Sequence, residues 1–260
     1  MKENDKAPVI PSLLARRLKF YVTGPQPCPY LPARKERKVF TSLATDGAVS
    51  LNDSLTRSGF RRSQTIAYRP ACPSCDACRS VRIDVARFDW KKRWRRIEAR
   101  NADIGRTPHR ASASREQYRL LKDYLEARHE DGGMTDMEMR DYVNMVDASP
   151  VRTVVFEYRR EPQDGAQASD SPLVAGALTD VLKDGLSMVY SFYRPEETAR
   201  SLGAFMILNH IRLAEEFELP YVYLGYWVKN SGKMGYKADF QPLELFDGDA
   251  WRPMAEGDLA

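Results

Sequence analysis

The sequence has few of the residues that usually carry metal or triad chemistry. Its 260 residues include 3 histidines and 4 cysteines, and no convincing Ser/His/Asp or Cys/His triad is present. No run of about 18 apolar residues occurs, so we expect no transmembrane helix. Residues 1–40 are charged and proline-rich and lack the apolar core of a secretory signal. We therefore expect a cytoplasmic protein, in which thiols stay reduced.

The formal net charge of +4 conceals a division between the two halves of the chain. Residues 1–130 carry 28 Lys and Arg against 14 Asp and Glu, a net charge of +14, whereas residues 131–260 carry 12 against 22, a net charge of −10. Such asymmetry predicts two regions with different partners. With 43% hydrophobic residues the chain can bury a sizeable core, as one large domain or two small ones.

The densest basic run lies at residues 90–96, where cations alternate with Trp90 and Trp94. Such a run suits an RNA backbone whose bases are available for stacking. A solvated basic face is the alternative. The candidate tRNA-binding residues are Lys91, Lys92, Arg93, Arg95 and Arg96.

The cysteines have the spacing of a four-ligand site. Cys72, Cys75 and Cys78 are separated by two residues each, and Cys28 lies upstream between two prolines. This spacing lets one loop turn several sulfurs toward a single point. We predict that the four cysteines converge and hold an iron–sulfur cluster or zinc. A set of buried or unpaired thiols is the alternative, and a disulfide is disfavoured in a reducing compartment.

The apolar pattern predicts an α+β fold in which the two halves differ. A smaller, basic N-terminal domain with the cysteines is expected over 1–105 and a larger one over 106–260. The pattern predicts strands over 64–69, 80–88, 151–159, 173–182, 185–193 and 221–227, and helices over 114–129, 136–146 and 199–218.

The order of elements after residue 150 matches the acyl-transferring core of the GNAT type. Arg200 and Gly203 stand at the start of the predicted long helix and loosely resemble the phosphate-binding turn of that fold. A helix N-terminus offers free N–H groups and a positive dipole, so it can hold a phosphate. An ordinary helix start with a small packing residue is the alternative for Gly203.

Several motifs occur together in one order along the chain. They are PCPYLP at 27–32, YRPACPSCDACR at 68–79 followed by Arg82-Ile83, YLGYW at 223–227 and KMGYK at 233–237. With these motifs the sequence resembles the arginyl-tRNA–protein transferase family, and it is most similar to the short bacterial form. The segments at 187–193 and 200–203 also fit that pattern, and the likeness runs from about Phe20 to Trp251.

The resemblance implies an activity. An aminoacyl-tRNA donates its amino acid to the N-terminal α-amine of a protein whose first residue is acidic, and the product is marked for degradation. In the bacterial form the donor is leucyl-tRNA and the acceptor begins with Asp or Glu. The sequence leaves leucine and arginine open as donors. An activated ester becomes an amide, so neither ATP nor a nucleotide cofactor is expected.

The chemistry predicts two kinds of side chain. The acidic first residue of the acceptor calls for cations, and a bidentate arginine suits a carboxylate. The developing oxyanion and the leaving ribose oxygen call for hydroxyl donors. A surface salt bridge or an RNA contact is the alternative for each cation, and strand packing is the alternative for each tyrosine. Candidates for substrate binding are Arg61, Arg62, Arg69, Arg79, Arg82, Arg200, Gly203, Lys233 and Lys237, and candidates for catalysis are Tyr190, Ser191, Tyr223 and Tyr226.

Two other functions compete with this one. An acetyl-CoA-dependent N-acetyltransferase would share the fold but would leave the basic N-terminal half unused. A non-catalytic, metal-containing RNA-binding protein would explain the charge and the cysteines but not the acyl-transfer-like C-terminal half. His210, on the long predicted helix, is favoured as a structural residue over a catalytic base.

Overall fold

A computed structural model describes residues 18–128, 135–161, 171–229, 231–232 and 234–259. Within these residues the fold is mixed α/β. The strands are β1 (Tyr21–Val22), β2 (Gln26–Pro27), β3 (Lys35–Glu36), β4 (Lys38–Ser42), β5 (Arg61–Ser63), β6 (Ile66–Pro70), β7 (Cys78–Asp84), β8 (Ile104–Arg110), β9 (Thr153–Arg160), β10 (Leu173–Leu182), β11 (Gly185–Tyr193), β12 (Tyr221–Val228), β13 (Leu243–Phe246) and β14 (Trp251–Pro253). The helices are α1 (Ala48–Arg57), α2 (Lys92–Arg100), α3 (Arg115–Arg128), α4 (Met139–Asp147), α5 (Leu202–Glu216) and α6 (Glu256–Leu259), with 3₁₀ turns at Thr198–Arg200 and Gly235–Asp239.

One large sheet organises the molecule. Its eight strands run in the order β14-β13-β7-β12-β11-β10-β9-β8. The pairings are antiparallel except that of β11 with β12, which is parallel. A second sheet has the order β1-β4-β6-β5, and β2 pairs with β3 in a separate hairpin. Both β7 and β8 belong to the large sheet, so the two regions predicted from the sequence share it; the boundary at residue 105 remains a prediction.

Helices cover both faces of the large sheet. Strand residues alternate between faces, and on β9 Phe156 and Tyr158 pack in one buried cluster while Val155 packs in another. The first cluster contains the apolar face of α5, including the fully buried Met206 and Leu208. The second contains α3 and α4. Burial of such apolar faces is the main favourable contribution to the stability of the fold.

Most of the predicted elements are present. The bounds predicted for β10 and β11 match the observed strands. Ser114 caps α3 as its position suggests, because its Oγ accepts the N–H of Gln117 at 3.1 Å. The predicted long helix is observed as α5, preceded by the 3₁₀ turn at Thr198–Arg200. Residues 162–170, in the predicted hairpin loop, lie outside the described residues.

Residues 80–88 alternate between apolar and polar side chains, which predicts a half-buried β7, and that prediction was wrong. Arg82 should have faced solvent by alternation, but it is 7% exposed. β7 lies between β12 and β13, and the rings of Tyr221 on β12 and Trp251 on β14 cover the Arg82 side chain. In the described part of the chain, no helix combines the length and the apolar character needed to span a bilayer.

Candidate active site

The large sheet opens between its two parallel strands. β11 and β12 pair only where Gly185–Ser187 lie opposite Tyr221–Tyr223. Beyond these residues each strand is irregular: the register of β11 against β10 shifts next to Val189, and that of β12 against β7 shifts next to Leu224. Strands that separate leave backbone carbonyls without a ladder partner, and those groups need other donors.

Two basic side chains supply the missing donors. The Arg61 guanidinium, from β5, donates to the carbonyls of Val189 at 2.9 Å and Met188 at 3.4 Å. The Lys237 amine donates to the carbonyls of Leu224 at 2.8 Å and Tyr226 at 2.7 Å. Each side chain therefore braces one of the two separated strands.

Gly225 makes room for the first brace. Its φ of +73° is a left-handed conformation that favours glycine, and the guanidinium of Arg61 fills the space that a Cβ at this position would need. The glycine in the YLGYW motif therefore allows Arg61 to reach across β12 to β11.

The space between the strands is a cleft of about 770 Å³, here called the central cleft. Its volume is in the range of ligand sites. The described residues that line it include cations, tyrosines and apolar side chains, but none is Asp or Glu. They are Pro29, Tyr30, Arg61, Tyr124, Leu125, Arg128, Met188, Val189, Tyr190, Ser191, Tyr193, Ser201, Gly203, Ala204, Ile207, Leu224, Gly232, Met234, Tyr236 and Lys237.

The N-terminus of α5 faces this cleft. Ser201, the residue before the helix, has a φ of 54° and makes no side-chain cap, so the first N–H groups of α5 are not capped by it. Gly203 also lines the cleft, and a Cβ there would come within 3.3 Å of the Tyr193 ring. Uncapped N–H groups and the helix dipole suit an anionic oxygen.

The predicted hydroxyl donors divide into two pairs. Tyr190 and Ser191 line the cleft, and burial raises the pKa of Tyr190 to about 12, so its hydroxyl remains a donor at neutral pH. The Tyr223 hydroxyl instead donates to Asp184 at 3.0 Å, and that of Tyr226 donates to the carbonyl of Tyr68 at 2.9 Å. Neither of these two tyrosines lines the central cleft, and their occupied hydroxyls argue against a catalytic role.

Three of the predicted substrate-binding arginines are held by carboxylates that are distant in sequence, and a fourth, Arg79, pairs with Asp76 three residues away. Arg62 forms a buried, bidentate pair with Asp180 at 2.6 and 2.7 Å. Arg82 pairs with Glu244 at 2.7 Å, and Arg200 pairs with Asp103 at 2.6 Å. None of the three lines the central cleft. These pairs argue against direct substrate contacts, because the donors are already used.

The Arg82 guanidinium is also enclosed by rings. Its Cζ lies 3.4 Å from the centroid of Tyr221 and 4.4 Å from that of Trp251, and Nη1 donates to the Tyr223 hydroxyl at 3.2 Å. This accounts for the burial of a charged residue on β7.

Lys233, the remaining predicted cation of the KMGYK motif, lies outside the described residues.

The cysteines converge on a second cavity of about 410 Å³, the cysteine cavity. Cys28, Cys72, Cys75 and Cys78 all line it, together with Arg69 and Arg79. Burial and the negative charge of the other three thiolates raise the pKa of Cys78 to about 12. All four thiols are free, and among the described residues no three His, Cys, Asp or Glu side chains form a ready metal-holding group. Four cysteine sulfurs are the ligands that a thiophilic metal prefers. The sulfur atoms are not gathered as closely here as they would be around a bound metal.

The cysteine cavity adjoins the central cleft. Tyr30, two residues after Cys28, lines both spaces. Tyr226 lines the cysteine cavity, while Leu224 on the same strand lines the cleft. The N-terminal cysteine segments and the C-terminal motifs thus meet at one place.

His210 is a structural residue of the core, as expected, and both of its ring nitrogens have hydrogen-bond partners. It is 0% exposed, and its Nδ1 and Nε2 lie 2.7 Å from the Met206 carbonyl and 2.8 Å from Thr179 Oγ1. Burial lowers its pKa to about 4. Its ring stands edge-on to Phe156 and does not line the cleft.

The predicted tRNA-binding cations are all exposed on or beside α2. The expectation that both tryptophans offer free faces for bases was wrong. Trp94 is 4% exposed and stacks on Phe240 at 4.5 Å between centroids, and the Trp90 ring is covered by the guanidinium of Arg212 at 3.4 Å.

Among the cleft residues with phenol or cationic side chains, sequence reasoning missed Tyr30, Tyr124, Arg128 and Tyr236. Tyr30 and Tyr236 belong to the quoted motifs, so a closer look at those motifs would have found them. Tyr124 and Arg128 are four residues apart near the end of α3. That spacing places them on one helix face, but nothing local indicates that the face meets a cleft.

Comparison with known proteins identifies the family of the chain. Models of the N terminus and the C terminus of arginine-tRNA-protein transferase match residues 26–96 and 116–247. An aspartate/glutamate leucyltransferase from Hyphomonas neptunium is 56% identical over 248 residues, which cover 95% of this chain and 96% of that protein. One from Parvibaculum lavamentivorans is 57% identical over 233 residues, covering 90% and 93%. A crystal structure of FemX matches 75% of this chain and 64% of its own with a TM-score of 0.45 and 11% identity. On the two family models and these sequence relatives, the chain belongs to the arginine-tRNA-protein transferase family.

Proposed function

We propose that this protein is an aminoacyltransferase that moves leucine from leucyl-tRNA to the N-terminal α-amine of proteins beginning with Asp or Glu, and so marks them for degradation. The central cleft carries the proposal, because it joins a helix N-terminus, hydroxyl donors and cations in one space between separated strands. Relatives named aspartate/glutamate leucyltransferase that match nearly the whole chain support the same reaction. A cytoplasmic location follows from the tRNA substrate.

We assign the strands and the helix around the cleft to a GNAT-like acyl-transfer core. Parallel strands that separate beside the N-terminus of α5 give an acyl ester and an incoming amine access to one point from different sides. Gly203 and its neighbours would receive a phosphate of the tRNA 3′ end on free N–H groups. In this proposal Arg200 acts indirectly, since its pair with Asp103 holds the turn before the helix.

The chemical step needs placement more than activation. The α-amine attacks the ester carbonyl carbon, the bond to the ribose oxygen breaks, and tRNA leaves with a free 3′-terminal hydroxyl. An α-amine has a pKa near 8, so a useful fraction is neutral at pH 7. Tyr190 and Ser191 would donate to the developing oxyanion or the leaving oxygen. Neither ATP nor a nucleotide cofactor enters this sequence.

The lining of the cleft favours leucine over arginine as the donor. Leu125, Ile207 and Leu224 offer apolar surface, and no carboxylate is among the described lining residues. An arginyl group would face Arg61 and Arg128 without a counter-charge, which is unfavourable in a partly buried space. An isobutyl side chain needs only apolar contact.

The acidic side chain of the acceptor calls for a cation at the edge of the cleft. Among the predicted arginines, Arg61 lines the central cleft, and Arg69 and Arg79 line the adjoining cysteine cavity. Arg61 uses Nη2 for its described hydrogen bonds and packs Nε and Nη1 against Gly225, whereas Arg69 lies over the Phe60 ring and has no carboxylate partner among the described residues. We assign carboxylate binding to this group, and Lys233 stays with it as a proposal.

The exposed cations of α2 are the proposed contact with the tRNA backbone. Lys91, Lys92, Arg93, Arg95 and Arg96 present a basic surface that can neutralise phosphates without reading sequence. Arg93 is partly engaged by Asp239 at 3.4 Å, so Arg95 and Arg96 are the better probes of this surface.

The four cysteines are the proposed ligands of an iron–sulfur cluster or zinc. Such a group would clip the hairpin that carries Cys28 to the loop that carries Cys72 and Cys75, which adds stability to the N-terminal region. Metal analysis and absorption spectra of anaerobically purified protein test this. We expect one equivalent of zinc or an iron–sulfur chromophore in the wild type and loss of either in Cys75→Ser. Metal-free wild type with the same melting temperature as Cys75→Ser would contradict the proposal.

One assay tests the whole function. Purified protein is incubated with a panel of charged tRNAs and with peptides that differ only in their first residue. We expect transfer from leucyl-tRNA to peptides beginning with Asp or Glu, and none to matched peptides beginning with Asn or Gln. Transfer from arginyl-tRNA but not leucyl-tRNA would overturn the donor assignment. Acetylation of the same peptides by acetyl-CoA would favour the rival acetyltransferase.

A further inference from the structure

Lys237 is a buried amine with an unusual set of partners. It is 6% exposed, lines the central cleft, and donates to two carbonyls of the same strand, those of Leu224 and Tyr226. No ion pair with Asp or Glu is found for it within the part of the chain that the structure describes. A buried ammonium is normally paired with a carboxylate, because an isolated buried charge is costly.

The hydrogen bonds match the neutral amine better than the ammonium. A neutral amine has two N–H donors and one lone pair, and the two carbonyls take both donors. An ammonium would have a third N–H without a described acceptor, close to the positive charge of Arg61. Burial and this neighbouring charge lower the pKa of Lys237 well below its ordinary value.

We propose that Lys237 is the catalytic base of the transfer reaction, and that its free lone pair faces the incoming α-amine. This assignment rests on the proposed function and replaces a carboxylate-binding role for the residue. The two carbonyls fix the direction of the lone pair, since they hold both N–H groups against β12. Lys237 thus both braces the separated strand and accepts a proton in the cleft.

The proton balance is complete without a further reactant. As the α-amine nitrogen bonds to the ester carbon, its proton passes to Lys237 Nζ. The carbon–oxygen bond to the ribose then breaks, and the leaving oxygen takes a proton back from Nζ. The products are an amide and the free ribose hydroxyl, and Lys237 returns to its neutral form.

The surroundings keep the amine neutral. Arg61 of β5 is the nearest charge that acts on it. The described cleft supplies further cationic or phenolic groups but no carboxylate that would favour the ammonium. These groups are Tyr30, Arg128 and Tyr124 of α3, Tyr190 and Tyr193 of β11, and Tyr236 beside Lys237.

Kinetics of Lys237 variants test the proposal. Single-turnover transfer from leucyl-tRNA to an Asp-initiated peptide is measured for the wild type, Lys237→Met, Lys237→Ala and the control Lys122→Met, whose amine donates outside the cleft to the Thr135 carbonyl at 2.6 Å. We expect a loss of about 10²- to 10⁴-fold in rate at position 237, with peptide KM nearly unchanged, and none in the control. Small primary amines should restore part of the rate of Lys237→Ala, and at equal concentration of the free base the rescue should rise with the pKa of the amine. Folded variants that keep the rate within about threefold, or a folded Lys237→Ala without any amine rescue, would overturn the proposal.

A measurement on the wild type covers the case in which the variants do not fold. Competitive labelling with acetic anhydride, read by mass spectrometry over pH, reports the fraction of Lys237 that is neutral. We expect Lys237 to be labelled at a lower pH than Lys122, because burial lowers the pKa of Lys237. Equal profiles for the two lysines would overturn the assignment. If the wild type transfers leucine to no peptide, the proposed function fails, whereas the labelling profile still reports on the amine.

Discussion

The guanidinium of Arg61 occupies the space that a side chain at position 225 would need. The arginine and the glycine are far apart in sequence, on β5 and β12, yet each requires the other. Without Arg61 the carbonyls of β11 would lose a donor, and without the glycine Arg61 could not reach them. This relationship makes the shape of the cleft sensitive to a single methyl group.

Gly225→Ala should therefore damage both stability and transfer. A non-glycine residue at a φ of +73° costs about 1–2 kcal/mol, and the new Cβ also displaces Arg61. We expect a lower urea midpoint and a fall of about 100-fold in the transfer rate, since small misplacements in a site are costly. Gly24→Ala is the matched control, because its Cβ would meet nothing within 4 Å. If Gly225→Ala transferred leucine at the wild-type rate, the position of Arg61 would not matter for the reaction.

Arg62→Ala should act on stability alone. The substitution leaves Asp180 buried without its partner, which costs about 3–5 kcal/mol. Chemical unfolding compares it with Arg140→Ala, whose side chain is 77% exposed and should be nearly neutral. The folded fraction of Arg62→Ala should still prefer Asp-initiated peptides. A stable variant that loses this preference would restore Arg62 as a substrate-binding residue.

His210 should make stability depend on pH. The unfolded imidazole binds a proton near pH 6.5 and the folded one near 4, so its contribution is complete above 6.5 and is lost as pH falls through about 4. The full difference amounts to about 3 kcal/mol. The difference between the urea midpoints measured at pH 7.5 and at pH 4.5 should be smaller in His210→Gln than in the wild type. If the midpoints of His210→Gln differed between the two pH values as much as those of the wild type, His210 would not be the source.

Tyr190→Phe and Tyr223→Phe should have opposite effects. Removing the Tyr190 hydroxyl takes a donor from the cleft and should slow single-turnover transfer by about 100-fold with little change in melting temperature. Removing the Tyr223 hydroxyl breaks its bond to Asp184 and should cost about 1 kcal/mol of stability while the rate remains near that of the wild type. Equal rates for the two variants would exclude Tyr190 as a donor.

The double variant Arg95→Glu/Arg96→Glu should weaken tRNA binding and flatten its salt dependence. Each lost phosphate contact lowers the slope of log affinity against log salt by about 1. Affinities measured from low to moderate salt test this, with Arg140→Glu on α4 as a charge-matched control for one substitution. An unchanged slope would place the tRNA elsewhere on the protein.

The sequence predicted the regular elements well because they follow local patterns. The bounds of β10 and β11 follow from short apolar runs next to turn residues, and the start of α3 follows from the cap at Ser114. The family prediction was confirmed because its motifs are specific and ordered. The half-buried β7 was predicted wrongly, since burial of its second face depends on distant strands.

The sequence by itself determined which residue types are present and how each segment folds: the cysteine spacing, the basic run at α2 and the alternation of strands and helices. Only the tertiary structure decided what each charge does. Arg61 and Arg62 are neighbours with similar local sequence, but one braces the cleft and the other is paired with Asp180, 118 residues away. The reason is physical: periodicity is set by neighbours along the chain, whereas the partner of a buried charge is set by the packing of strands that are distant in sequence.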